Sequence, residues 1–213
     1  MNVGDMKRRI SNSLGDDAKV VFEDVDMLDY INDAQMDICR KTGFLQGTKS
    51  MSVLKGQDYY DLPTDVIEVQ RVTLNWTRLV RTTWQELDML DPSRDTGQSA
   101  GVPDHFWVNG NIIGVYPPPA KDYLTPNGMW IYYSCTPTVL VNDNDIPELP
   151  LAFHEDIVLR VIAKGHEQVE DWQASQGKLS EYDKSITLTQ AQLMDGSEET
   201  YPYIRDTEGP YSA

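Results

Sequence analysis

The sequence contains few cysteines and few basic residues, and each shortage excludes a class of function. Of 213 residues only two are cysteine, Cys39 and Cys135. Two cysteines are too few for a disulfide framework or a cysteine-rich zinc site, so we interpret both as small buried residues in a reducing compartment. Lys and Arg number 18 against 34 Asp and Glu, a net charge of −16, which opposes general affinity for nucleic-acid phosphates.

Long hydrophobic runs are also absent. The longest apolar stretches, IVLRVIA and MWIYY, are short or interrupted by charge, and the N-terminal MNVGDMKRRISNSL has no apolar signal core. A membrane span needs about 20 mostly apolar residues, and a secretion signal needs an apolar centre. The sequence therefore predicts a soluble protein without a membrane span or a secretion signal.

Catalytic and metal-binding signatures are missing as well. The histidines are His105, His154 and His166, and the last two lie about 120° apart on one helix, so they do not share a face. His105 follows Asp104 and could form a surface pair, but no nucleophile is adjacent to them in sequence. There is no HExxH, GxSxG, phosphate-binding glycine loop or Rossmann fingerprint. We predict no catalytic residue, no metal site and no cofactor.

The acidic residues that are present concentrate toward the C-terminus. Residues 143–213 hold 15 acidic and five basic residues, a net charge of −10. Such a surface is either simply solvated, or it contacts a basic partner or repels DNA.

Apolar spacing predicts two helices before residue 45. Residues 3–14 place an apolar residue at every helical turn and are followed by Gly15, a C-terminal stop. A second helix has Asp26 as its expected N-cap, an apolar face through Met27, Ile31 and Ile38, and Gly43 as its end.

The period then changes to short strands separated by turn residues. The sequence predicts strands at SMSVL, YYDLP, VIEVQRVTL, TRLVR, HFWV, NIIGVY and MWIYYSC. Thr83 and Glu86 have capping-box spacing and predict a short helix over residues 83–90. Asn109-Gly110 predicts a type I′ hairpin turn. In MWIYYSC, we expect Met129, Ile131 and Tyr133 to alternate with Trp130 and Tyr132.

Three prolines, Pro117–Pro119, follow the strand NIIGVY directly. Proline cannot donate a hydrogen bond to a sheet, and its ring fixes φ. We expect the strand to end at Tyr116 and the chain to leave as a stiff extended segment that holds the shape of the β region.

Helical spacing returns at about residue 151 and lasts until about residue 194, with a break expected near residues 171–175. Beyond residue 195 periodicity stops, which predicts an extended C-terminal arm. The fold class is therefore α+β: an antiparallel helical bundle of residues 1–45 and 151–194, an inserted antiparallel β domain of residues 46–150, and an arm of residues 195–213.

Two further patterns each allow two interpretations. The aromatic residues of the β region either pack a core and contact other subunits, or form a platform for a sugar or a single-stranded nucleic acid; nucleic acid is the weaker ligand because no basic groove accompanies the rings. Asp29, Asp33 and Asp37 recur every four residues, so they share one helix face. That acidic row is either a solvated face or a contact with Lys or Arg of another subunit or partner.

Five motifs in order carry a resemblance to a known family. They are NDAQMDICRKTGF, YYDLPTDVIEVQRV, GVPDHFWVNGNIIGVYPPP, WIYYSCTP and DIPELPLAFHEDIVLRVIA. Together, over about residues 26–170, the chain resembles the adaptor (head-to-tail connector) proteins of tailed bacteriophages, especially short-tailed ones. The motifs consist of turn, strand and helix-boundary residues and contain no catalytic signature.

The resemblance implies a non-enzymatic virion protein, made in the host cytoplasm and located at the portal vertex between capsid and tail. Such a protein forms a dodecameric ring that joins the portal protein to the tail nozzle or another tail component, with tail fibres as a further possible partner. The ring would extend the DNA channel, and genomic DNA would pass without specific binding. No membrane is involved.

The resemblance also implies that residues 195–213 bind the portal, and the residues expected in that contact are Tyr201, Tyr203, Ile204 and Tyr211. An alternative from another class is a virion binding module whose aromatic β domain recognises a host glycan. An enzyme is the third possibility, and no set of residues supports it.

Overall fold

The computed structural model describes residues 1–15, 24–92, 100–195 and 204–205, and within them the chain is a mixed α+β protein, as predicted. The helices there are α1 (Val3–Leu14), α2 (Asp24–Thr42), α3 (Trp84–Leu90), α4 (His154–Gln168) and α5 (Trp172–Asp195), with a 3-10 turn at Leu151–Phe153. The strands are β1 (Gln46–Met51), β2 (Tyr59–Asp61), β3 (Val66–Leu74), β4 (Thr77–Arg78), β5 (Val80–Arg81), β6 (His105–Asn109), β7 (Ile112–Tyr116), β8 (Met129–Cys135) and β9 (Ile204–Arg205). None of the helices described is both long enough and apolar enough to cross a membrane.

The chain folds into two compact units. The helical unit comprises Met1–Leu45 and Thr136–Tyr203, and the β unit comprises Gln46–Cys135 and Ile204–Ala213. Residues 136–150 thus group with the helices. The domain limits expected from the sequence, 1–45 with 151–194, 46–150 and 195–213, stay a prediction, as does the antiparallel bundle.

Helix α1 has the predicted limits because both of its ends are capped. The Asn2 side chain accepts a hydrogen bond from the Asp5 N–H at 2.8 Å, and Gly15 adopts a left-handed conformation with φ 68°. Its apolar residues Val3, Met6 and Ile10 are fully buried. The helix predicted over residues 3–14 is confirmed.

Helix α2 buries the predicted face through Met27, Ile31 and Ile38, and ends before Gly43, whose φ is 58°. The predicted N-cap is wrong, because α2 includes Asp24 and Asp26 lies inside the helix. An acidic residue in the first turn interacts favourably with the helix dipole whether or not it is the N-cap. The acidic residues of this segment therefore indicate a helix start but do not define its first residue.

Helices α4 and α5 are separated at residues 169–171, slightly before the break expected at residues 171–175. Glu170 has φ 61°, the Glu170 N–H donates to Glu167 O at 3.1 Å, and the Asp171 N–H donates to His166 O at 2.9 Å. These two bonds form a Schellman motif that ends α4. Asp171 Oδ1 then accepts from the Ala174 N–H at 3.1 Å and caps α5, so one residue closes one helix and opens the next.

The β unit contains two sheets. Their strand orders are β4-β3-β8-β1-β9 and β2-β7-β6-β5, and all pairs are antiparallel except β1 with β9 and β5 with β6. Strand β8 is central in the larger sheet and is buried on both faces, with Trp130 4% and Tyr133 2% exposed. The expected alternation along β8 therefore does not separate a buried face from a solvated one.

The β6–β7 hairpin is present, but its turn is shifted by one residue from the prediction. Asn109 pairs with Ile112, so the loop residues are Gly110 and Asn111. This register places Trp107 opposite Gly114, where a Cβ atom would lie 2.0 Å from the indole ring. Gly110 has φ 57°, and glycine at the first loop position is typical of a type II′ turn. The indole thus selects the register in which it meets a residue without a side chain.

Strand β7 ends at Tyr116, as the three prolines predicted, and the Tyr116–Pro117 peptide is cis. The carbonyl of Pro118 accepts from the Gly101 N–H at 2.8 Å, and that of Pro119 accepts from the Gly56 N–H at 2.9 Å. The prolines have no N–H group to donate, but their carbonyl oxygens accept hydrogen bonds from two other loops of the β unit and so hold those loops in place.

Candidate functional site: polar and aromatic contact surfaces

The histidines do not form a common site. His105 Nδ1 lies 2.6 Å from Asp104 Oδ1, so the surface pair suggested by the sequence is present. His154 is buried and its Nε2 lies 2.9 Å from Leu149 O; burial lowers its pKa below the ordinary value of 6.5. Within the described residues, no group of three or more His, Cys, Asp or Glu side chains could hold a metal ion.

The acidic row on α2 divides into two exposed carboxylates and one engaged carboxylate. Asp29 and Asp33 are exposed, and neither has an ion-pair partner in the described part of the chain. Asp37 is half-buried and contacts α4 and α5. The sequence pattern treated the three as equivalent, whereas Asp37 is engaged within its own chain and Asp29 and Asp33 are exposed.

Asp37 is the centre of a polar cluster within the helical unit. Its Oδ2 accepts a hydrogen bond from the Tyr182 hydroxyl at 2.7 Å. Lys41 Nζ lies 3.3 Å from the same oxygen, and Arg160 Nε lies 3.8 Å from it. Lys41 also pairs with Asp183 at 2.9 Å and lies 4.6 Å from the centre of the Tyr182 ring.

The cluster changes two pKa values. Burial, followed by the hydrogen bond to Asp37, raises the pKa of Tyr182 above its ordinary value of 10.0. Burial alone would lower the pKa of Lys41, but its hydrogen bonds to Asp183 and Asp37 outweigh burial and raise it. Tyr182 therefore remains a neutral donor and Lys41 a cation at neutral pH, and α5 is tied to α2.

The segment of residues 136–150, which we call the strap, is fastened to α2 by two amide side chains. Asn32 Nδ2 donates to Leu140 O at 3.0 Å, and Asn32 Oδ1 accepts from the Leu140 N–H at 2.9 Å. Gln35 Nε2 donates to Thr138 O at 3.0 Å. Gln35 is only 1% exposed. Sequence reasoning missed this role, although two amides three residues apart on an apolar helix face were the available signal.

The strap also meets the start of α1. The Gly4 N–H donates to Asp143 O at 2.9 Å, the Val3 N–H donates to Asp145 O at 3.0 Å, and Lys7 Nζ lies 2.8 Å from the Asp143 carboxylate. The first N–H groups of a helix lack partners inside it, so the strap satisfies two of them.

A small cleft of about 150 Å³ lies between α2 and α4. It is lined by Tyr30, Asp33, Ala34, Arg160, Val161 and Lys164. The Gln168 side chain donates to the Tyr30 hydroxyl, and Lys164 pairs with Glu167 at 2.9 Å. The volume suits a few water molecules rather than an organic ligand, since ligand pockets usually exceed about 300 Å³.

The aromatic residues of the β unit divide between core and surface. Phe106, Trp107 and Tyr133 are buried, as the core-packing interpretation expected. Trp84 is 41% exposed and packs on Trp107 with ring centres 4.3 Å apart. Tyr59 is 57% exposed. Core packing thus accounts for the buried rings, whereas Trp84 and Tyr59 remain exposed.

One exposed ring lies beside two arginines on the larger sheet. Trp76 is 56% exposed and stacks on Trp130 with centres 6.5 Å apart, while its Nε1 donates to Asn127 Oδ1 at 3.1 Å. Arg71 lies over the Tyr132 ring at 5.4 Å. Arg78, on β4, is exposed. We call this surface, made by Arg71, Trp76, Arg78, Trp130 and Tyr132, the arginine–tryptophan face.

The C-terminal residues expected to bind the portal are mostly outside the described part of the chain. Tyr201, Tyr203 and Tyr211 all lie there. Ile204 lies in β9, whose backbone pairs in parallel with β1 opposite Gln46. Its assignment to a portal contact stays a prediction.

Comparison with known proteins gives one family. Residues 1–202 match the family model described as SU10 adaptor protein. No curated protein matches the chain. The match confirms the resemblance to phage head-to-tail adaptors that was drawn from the five motifs.

Proposed function

We propose, from the premise that the chain belongs to the SU10 adaptor protein family, that it is a non-enzymatic structural protein of a phage virion joining the portal protein to the tail. The observation that carries the proposal is the match over residues 1–202, which spans both units. The family is one of phage adaptor proteins, and this favours a structural role over catalysis.

The proposed assembly is a dodecameric ring at the portal vertex that extends the DNA channel. The charge of the chain supports such a conduit, because a net charge of −16 opposes the phosphate contacts that would retain passing DNA. The proposed partners are the portal protein, the tail nozzle or another tail component, and further copies of the chain.

Two parts of the chain supply the proposed contacts. Residues 195–213 bind the portal through Tyr201, Tyr203, Ile204 and Tyr211, since an aromatic segment can order on a partner and add contact area. The acidic row of Asp29, Asp33 and Asp37 contacts a neighbouring copy or partner. Because Asp37 is engaged within its own chain, the intermolecular contact rests on Asp29 and Asp33.

The first experiment is native mass spectrometry of the purified chain, alone and mixed with the portal ring of the same phage. We expect a discrete complex with one adaptor chain per portal subunit. A chain that stays monomeric in both samples would overturn the proposal. It would favour the alternative of a glycan-binding module. That alternative would be tested with the full chain on a glycan array, and exposed Trp76 would be the first residue to substitute.

The arm is tested separately by deleting residues 195–213. The deletion also removes β9 and the last residue of α5. We expect the helical bands of the circular dichroism spectrum to be retained and portal binding to weaken. Portal binding of unchanged affinity by the shortened chain would refute the arm assignment while leaving the adaptor role intact.

A further inference from the structure

We propose that the arginine–tryptophan face of one copy binds the exposed carboxylates of α2, Asp29 and Asp33, on the next copy. This inference rests on the proposed assembly of several copies and names the two surfaces that meet.

The arginine–tryptophan face is a basic surface on a strongly acidic chain. Arg71 and Arg78 are exposed, and neither has a carboxylate partner among the residues described. The nearby carboxylate of Glu68 lies 3.3 Å from Arg81 Nη1 and is thus already paired. The two guanidinium groups are therefore available to an acidic partner.

The spacing of the two arginines follows from the sheet register. Arg78 pairs with Thr73 across β3 and β4, and Arg71 precedes Thr73 by two residues on the same face. The two arginines are diagonal neighbours, whose separation in a sheet is about 7–8 Å.

The spacing of the two aspartates follows from the helix. Asp29 and Asp33 are four residues apart on α2, which places their Cβ atoms about 5–6 Å apart on one face. Each of two carboxylates at this spacing can meet one guanidinium group of two diagonal arginines, because arginine side chains are long and adjustable. Arginine also binds carboxylates with two parallel hydrogen bonds, which lysine cannot do.

The tryptophan gives the face an apolar centre. Trp76 has φ 65°, an uncommon backbone conformation for a large residue, and its indole is held by the stack on Trp130 and the hydrogen bond to Asn127. Arg71 makes a cation–π contact with Tyr132, its guanidinium carbon lying 5.4 Å from the ring centre. Groups that are already fixed lose little entropy on binding, and Trp and Arg are the residues most enriched at interface hot spots.

The occupant is a second copy because of charge and symmetry. Every copy carries both surfaces, and relief of the repulsion between Asp29 and Asp33 by two cations favours association. A contact between two different surfaces of identical chains is heterologous, and repeated heterologous contacts close into a ring when the rotation permits. The face is on the β unit and the carboxylates are on the helical unit, so the two surfaces are different.

Charge reversal tests the pairing. The first variant carries Asp29→Lys and Asp33→Lys, and the second carries Arg71→Glu and Arg78→Glu. We expect each variant alone to self-associate at least about tenfold more weakly than the unchanged chain, in sedimentation velocity and in native mass spectra with the portal ring. We expect an equimolar mixture of the two variants to recover assembly if they alternate. In one contact the lysines of the first variant then meet the glutamates of the second, and in the next contact the unchanged aspartates of the second meet the unchanged arginines of the first.

The controls separate this inference from the proposed function. Reversal of the exposed lysines Lys55 and Lys121 to Glu adds the same charge elsewhere on the β unit, and should leave assembly unchanged. If the unchanged chain assembles and both reversed variants assemble equally well, the inference is wrong and the adaptor role stands. If the mixture fails to recover assembly, the pairing is also wrong. An unchanged chain that never assembles overturns both.

A different occupant is also distinguishable. If the Arg71→Glu, Arg78→Glu variant self-assembles normally but no longer binds the portal ring or the tail, the face contacts another virion protein, and the inference is overturned. Circular dichroism of each variant establishes that the fold is retained.

Discussion

The helical unit and the β unit are stabilised in different ways. The helical unit holds 22 acidic and ten basic residues, a net charge of −12, whereas the β unit holds 12 and eight, a net charge of −4. Polar side chains fasten the helices: Asp37 joins α2 to α5, and Asn32 joins α2 to the strap. In the β unit, rings and glycines pack against one another, as Trp107 and Gly114 show. The net negative charge is thus concentrated in the helical unit, while close contacts between an aromatic ring and a glycine occur in the β unit.

The substitution Gly114→Ala should lower the stability of the protein the most, because it adds a methyl group at a tightly packed position of the β unit. In Gly114→Ala the new Cβ would lie 2.0 Å from the Trp107 ring, and overpacking costs about 3 kcal/mol at the upper end of its usual range. Urea unfolding followed by tryptophan fluorescence measures the loss. The control is Gly177→Ala on α5, where no atom lies within 4 Å and alanine should stabilise by about 0.5–1 kcal/mol. Equal stability of both variants would contradict the tight packing.

Removing the centre of the polar cluster should have the next largest effect, now in the helical unit. Asp37→Ala leaves the Tyr182 hydroxyl without its acceptor and removes the carboxylate that lies 3.8 Å from Arg160 Nε, at a cost of about 2 kcal/mol. Thermal unfolding by circular dichroism measures it. Asp29→Ala on the same helix face is the matched control and should change stability by less than about 0.5 kcal/mol. If the two variants melt together, Asp37 has no structural role beyond that of an exposed carboxylate.

Loosening the strap should have a smaller effect. Asn32→Ala removes both hydrogen bonds to the backbone of Leu140, and we expect a loss of about 1–2 kcal/mol because the carbonyl and N–H of Leu140 lose their partner. Hydrogen exchange should show faster exchange of the Leu140 amide. Asp33→Ala, one residue away and exposed, serves as the control; an unchanged exchange rate in Asn32→Ala would show that the strap is held by other contacts.

The pH dependence of the helical unit should give the smallest effect. Burial lowers the pKa of His154 from 6.5 in the folded state, so below about pH 6.5 the unfolded chain binds more protons at this residue and stability falls as the pH decreases. In His154→Gln this contribution is absent. We expect the unfolding temperature of the unchanged chain to fall more than that of the variant between pH 7.5 and 5.5. Parallel curves would exclude His154 as the cause.

Local features of this fold could be predicted from the sequence because their causes are local. The limits of α1 follow from apolar spacing and Gly15, and the capping box of α3 is present, with the Thr83 side chain accepting from the Glu86 N–H and Glu86 accepting from the Thr83 N–H. The end of β7 follows from the chemistry of proline. In each case the deciding residues lie within one or two turns of the boundary.

Features that depend on distant residues could not be predicted. The pairing of β1 and β3 with β8 joins segments far apart in sequence. The different roles of Asp29 and Asp37 depend on α5, which contributes Tyr182 some 145 positions later. A periodic pattern on α2 defines a face, but it does not reveal which part of that face another helix covers.

The proline segment after β7 has a consequence for solubility at high local concentration. Pro117, Pro118 and Pro119 have no N–H to offer, and the carbonyls of Pro118 and Pro119 already accept from Gly101 and Gly56 of the same chain. A strand from another molecule would find no N–H donor at these three prolines, and two of their three carbonyl acceptors are already in use. A strand of another copy could therefore associate with this stretch chiefly through side-chain contacts.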